Sequence, residues 1–130
     1  MKNENSTFKD RSEARIIQHS TLIIQNIIFM VKHIILWTLN PELSEEEKKA
    51  VKAGIKAGLE GLVGKVPGLL DVKVHVDGRL ASSNADVMLD STLENEAALK
   101  GYAVHPEHVA VANGKVRPYT VQRSCLDFEI

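Results

Sequence analysis

The segment Val31 to Leu39 (VKHIILWTL) is largely apolar on both of its alternating faces. Val31, His33, Ile35, Trp37 and Leu39 lie on one, and Lys32, Ile34, Leu36 and Thr38 on the other. Its β-branched and aromatic residues predict a strand, closed by the turn signal Asn40-Pro41. Apolar character on both faces calls for cover on both, which places this strand at the centre of a sheet. Ser44-Glu45-Glu46-Glu47 follows as a capping box, in which the Ser44 hydroxyl accepts from the Glu47 amide and the Glu47 carboxylate accepts from the Ser44 amide. These acidic side chains also suit the positive end of a helix dipole. The helix is predicted to run to about Lys65, with Val51, Ile55, Leu59, Leu62, Val63 and Val66 along one side, and Pro67-Gly68 ends it. Gly54, Gly58, Gly61 and Gly64 interrupt it, and an interior glycine costs up to about 1 kcal/mol relative to alanine. Gly54, Gly58 and Gly61 fall beside the apolar stripe, either as a seam for another element or as a tolerated weakness.

Leu69 to Val76 alternates again, with Val72, Val74 and Val76 on one face, and Asp77-Gly78 is a turn. A third strand is predicted at about Asp86 to Ser91, a short helix from Leu93 to Tyr102, and a helical turn from Pro106 to Asn113-Gly114. Tyr119 to Ile130 is the last strand. The order β-α-β-β-α-β is that of the α+β, ferredoxin-like unit with an antiparallel sheet. Helices cover one face of such a sheet, and a single domain has nothing left to cover the other. A second copy of the chain is the simplest cover, so a homodimer is expected.

The pattern changes at Met30. Residues 2–15 are polar with charges of both signs, and residues 16–29 are apolar without strand or helix periodicity. Residues 1–29 are therefore expected to be an N-terminal extension, and residues 30–130 the domain. The rival reading packs an added helix or strand, Arg15 to Phe29, onto that domain. The apolar stretch Ile16 to Phe29 is broken by Gln18, His19, Gln25 and Asn26, too short and too polar to span a bilayer, and it lacks a signal-peptide cleavage pattern. A chain of 130 residues suits one domain, and its single cysteine, Cys125, rules out an intrachain disulfide. Together these features point to a reducing, cytoplasmic setting without a membrane partner. Sixteen Lys and Arg against seventeen Asp and Glu leave a net charge of −1, which supplies no field for a nucleic-acid backbone.

Three motifs stand in order: VKHIILW from Val31, PELSEEE from Pro41 and YAVHPEH from Tyr102, with LDFEI ending the final strand. In these motifs residues 30–130 resemble the stress-responsive α/β-barrel (Dabb) domains; residues 1–29 do not. The resemblance implies a ferredoxin-like fold dimerising into an α/β-barrel, with a pocket between sheet and helices, and it implies little about a reaction. One plant branch, the olivetolic acid cyclase type of polyketide cyclase, performs an intramolecular aldol condensation. Its working groups match Tyr102 and His108, and His33 matches a further pocket histidine. Such a cyclase also carries a histidine on its third strand, where this sequence has Val87.

The chemistry of those residues is coherent. Enolisation beside a carbonyl needs a base, which imidazole provides, and a donor for the developing oxyanion, which a tyrosine hydroxyl provides. His108, Tyr102 and His33 are the candidate catalytic residues, each with a plainer reading beside it. His33 also reads as a hydrogen-bonded strand histidine, Tyr102 as a core aromatic and His105 as a cap before Pro106; His19 and His75 have no supporting neighbours. No cofactor is expected, because the chain has no glycine-rich phosphate loop, G-x-S-x-G elbow or C-x-x-C. No metal is expected either, since His105 and His108, spaced i, i+3, lack a third ligand. The expected function is a stress-associated homodimer binding a small molecule. The alternative is a cofactor-free acid–base enzyme, a cyclase or lyase acting on a carbonyl or polyketide-like substrate through His108 and Tyr102. A purely structural dimer with a filled pocket is the third reading. A carboxylate fixing His108 would favour the enzyme.

Overall fold

The computed structural model describes residues 29–130. The expected extension, residues 1–29, lies outside them but for Phe29. Along the chain come β1 (Val31–Leu39), α1 (Glu45–Glu60), β2 (Leu69–His75), β3 (Val87–Leu93), α2 (Glu96–Val104), α3 (Pro106–Val111) and β4 (Thr120–Glu129). A π-helical turn, Ala112–Val116, and a 3₁₀ turn, Arg117–Tyr119, join α3 to β4. The strands form one antiparallel sheet in the order β2-β3-β1-β4, so β1 is central as predicted.

The expected α/β-barrel is corrected: this sheet is open, with β2 and β4 as its two edges. Closing a barrel around a filled interior takes about eight strands, well beyond this sheet. The β2 edge is also blocked at Val74, whose amide donates to Glu60 Oε2 (2.9 Å) and whose carbonyl accepts from Lys56 Nζ (3.0 Å). Both side chains come from α1, and helix side chains laid on a strand edge discourage further pairing.

The helices lie on one face. Ile35, Trp37 and Leu39 of β1, Val72 and Val74 of β2, and Val87, Leu89 and Leu93 of β3 pack there against Ile55 and Leu59 of α1. The capping box forms as the sequence predicts, with Glu47 N donating to Ser44 Oγ (3.1 Å) and Ser44 N to Glu47 Oε1 (2.8 Å). Helix α1 ends at Glu60, short of Lys65. Gly61 caps it and Gly64 takes φ +92°, a conformation a right-handed helix cannot contain. Leu62 and Val66 remain in the core from the turns beyond.

Strand β3 begins after Asp86 and runs past Ser91 to Leu93, which is wholly buried and pairs with both Val31 and Leu69. Helix α2 therefore starts only after Asn95, whose side chain accepts from Ala98 N (2.8 Å). The turn expected to stop at Asn113-Gly114 instead widens and continues, keeping Ala112 and Val116 buried. The glycine seam is real at Gly58, where an added Cβ would stand 2.9 Å from Val111 Cγ1 of α3; at Gly54 the same contact, with Lys115, is an ordinary 3.7 Å.

Candidate functional site

His33 sits on the helix side of β1 and is 8% exposed. In register across the ladder stands Asp127 of β4, and facing residues of an antiparallel pair share a side of the sheet. His33 Nδ1 donates to Asp127 Oδ1 over 2.5 Å. The His33 backbone carbonyl accepts from Ser91 Oγ, a hydroxyl buried in β3 (2.8 Å). Asp127 thus fixes one ring nitrogen and leaves Nε2 for chemistry.

Helix α2 brings Tyr102 over this strand. Its ring stands edge-on to His33, with centroids 5.8 Å apart, and packs tilted against His108 at 4.2 Å. Tyr102 is 1% exposed, and its hydroxyl meets no hydrogen-bond partner among the described residues. Burial pushes its pKa up to about 12, so the hydroxyl keeps its proton and remains a donor.

His108 is delivered by α3. That helix starts on His105, whose Nδ1 accepts from Glu107 N (3.1 Å) with Pro106 at the first helical position, so His105 is the cap of its plainer reading. His108 Nδ1 donates to the carbonyl of Ala103 over 3.3 Å. Burial lowers its pKa from the ordinary histidine value, and Arg117, His33 and Arg123 lower it further against the raising effect of the Ala103 carbonyl. His108 is therefore neutral at physiological pH.

The structure brings His33, Tyr102 and His108 around one cavity of about 300 Å³. Ile35, Trp37, Leu59 and Leu89 give it an apolar lining, and the exposed Arg117 and Arg123 stand at its mouth. Among the described residues no carboxylate fixes His108; Asp127 fixes His33 instead. His75 is exposed on β2, away from this group, and Val87 is a buried core residue. The sequence reading missed Asp127, Arg117 and Arg123. Alternation along β4 puts Asp127, Cys125 and Arg123 on one face, but only the register against β1 tells which residue they meet.

A metal reading takes different residues from His105 and His108. His33, Cys125 and Asp127 offer nitrogen, sulfur and oxygen atoms within 4.8 Å of one another, a donor set suited to zinc. Partial burial and the Asp127 carboxylate push the Cys125 thiol up, which opposes the thiolate a metal needs. The hydrogen bond from His33 to Asp127 accounts for their approach without an ion.

Residues 31–130 match the family described as the stress responsive A/B barrel domain. The chain belongs to this family. Among solved structures, the chain is similar at 32% identity to a dimeric protein of unknown function with a ferredoxin-like fold from Bacteroides fragilis (TM-score 0.72; 78% of this chain and 96% of that one covered). A dimeric ferredoxin-like protein of unknown function from Thermobifida fusca is 24% identical (TM-score 0.65, 78% and 92% covered). The hydroxynitrile lyase of Passiflora edulis is 18% identical (TM-score 0.65, 80% and 95% covered), a likeness of fold alone. No curated protein matches the sequence. Among the described residues no helix is long and apolar enough to cross a membrane.

Proposed function

We propose that this stress responsive A/B barrel protein is a cytoplasmic homodimer that binds a small carbonyl compound in the cavity and performs acid–base chemistry on it without a cofactor. One observation carries the reading: a carboxylate-paired histidine and an unpartnered, buried tyrosine hydroxyl converge on a single apolar cavity. An unmade hydrogen bond in a buried group costs about 1–3 kcal/mol, and a ligand oxygen placed on the Tyr102 hydroxyl recovers it. In this reading His33 Nε2 takes a proton from the carbon beside the carbonyl. Asp127 steadies the imidazolium that results, and Tyr102 donates to the oxyanion as it forms. His108, neutral and stacked on Tyr102, shuttles the proton on. The base is thus His33 rather than His108, because Asp127 faces His33. Aldol cyclisation falls within this chemistry.

The dimer is supported by the face of the sheet that the helices leave bare. Leu36, Leu126 and Phe128 are 39%, 61% and 42% exposed there, and the two ferredoxin-like relatives above are described as dimeric.

The test is proton exchange. Acetophenone and a panel of small ketones, incubated with the protein in deuterium oxide, should lose their α-protons faster than in buffer. Tyr102→Phe should slow that exchange about 100-fold, the usual cost of an oxyanion donor. Absence of catalysed exchange, or exchange that survives His33→Ala, would overturn the reading.

A further inference from the structure

We propose that the ligand is an organic anion: a carboxylate on an apolar body about the size of one substituted aromatic ring, its charged end held at the mouth by Arg117 and Arg123. This rests on the cavity being a ligand site, as proposed above. Charge at the mouth selects the ligand. No Asp or Glu lines the cavity, and neither arginine has a carboxylate partner among the described residues. Asp127, across the ladder from His33, is engaged by it. Arg117 donates one N–H to Asn113 Oδ1 over 2.5 Å, and the rest of its fork meets no other side-chain acceptor among the described residues. Deeper in, the Tyr102 hydroxyl is one more donor without an acceptor.

Two guanidinium groups at the mouth with no carboxylate beside them favour a ligand that is all acceptor at that end, and the planar carboxylate fits the guanidinium fork. A cationic ligand would meet two like charges at the entrance. Both arginines help lower the pKa of His108, and Arg123 also acts on Tyr102, so their field reaches the interior. Ile35, Trp37 and Leu89 offer the carboxylate's body only apolar surface. The volume, about 300 Å³, sits at the small end of ligand pockets.

The full chain is titrated by NMR with benzoate, cyclohexanecarboxylate and hexanoate, each beside its primary amide. The aromatic signals of Tyr102 and His33 are followed. Each acid should bind about tenfold tighter than its amide or better, as charge-assisted pairs do. That advantage should shrink as salt is raised. It should vanish in Arg117→Gln/Arg123→Gln, two exposed changes whose folding is checked by melting, while the amides bind as before. Acids and amides binding equally, with both moving Tyr102, would overturn the anion and leave the cavity reading standing. An acid advantage that survives the double variant would overturn the role of the arginines. If nothing moves Tyr102 or His33, both proposals fall.

Discussion

Tyr102 holds a hydroxyl that folding strips of water without giving it a protein partner. Removing that oxygen deletes a penalty instead of a bond. Tyr102→Phe should therefore melt at or above the parent temperature, by up to about 1 kcal/mol of added stability, while ligand affinity or turnover falls. A clear loss of stability would mean that the hydroxyl is bonded after all. His108 gives a pH signature. Its folded pKa lies below the ordinary 6.5, chiefly through burial, so between the two values the unfolded chain binds the extra proton. Its contribution to stability is fully present above pH 6.5 and is lost as pH falls through the folded value. Denaturant melts from pH 7.5 downward should show that loss, and His108→Asn should flatten it. Chemistry-bearing residue types were legible in the sequence, because Tyr102, His108 and His33 sit in short recurrent motifs. Asp127 was not. A carboxylate on an alternating strand gains a role only once register sets it opposite His33.

Among the elements, the helices meet their neighbours through glycine. Gly68 combines φ +80° with an added Cβ that would lie 2.5 Å from Ala98 Cβ on α2, so Gly68→Ala is strained in backbone and packing alike. It should cost about 1–3 kcal/mol, Gly58→Ala less, and Gly54→Ala should be neutral or stabilising, since alanine is the better helix former. Chemical denaturation of the three variants checks that order; a stable Gly68→Ala would show that α2 can shift. Among the described residues, hydrophobic period and turn signals located every strand and α-helix, and the capping box placed the start of α1 without error. Ends were harder. Leu93 belongs to β3 because burial outweighs its helical neighbours, and α1 stops at Glu60 because glycine outweighs the apolar stripe running on to Val66.

In the whole molecule, Leu126→Glu/Phe128→Glu should leave the monomer folded, since neither side chain is in its core, and abolish the dimer. Light scattering at micromolar concentration reads the result, and a parent protein that is already monomeric sinks the proposal. A chain beginning at Met30 should melt within a few degrees of the full chain; loss of its cooperative transition would assign core residues to the segment before it. The proposed chemistry would also be coupled to heat tolerance. His33 and Asp127 lie 94 residues apart in sequence and meet only across the β1–β4 ladder. Residues 121–130 are all exposed, so little but that ladder holds the edge strand down. Such a strand peels away at a lower free energy than the core unfolds. When it does, His33 loses its orienting carboxylate while Tyr102 stays packed among the core residues. Warming should therefore silence the protein before it melts, and a second copy seated on β4 would act as the clamp that sets the silencing temperature.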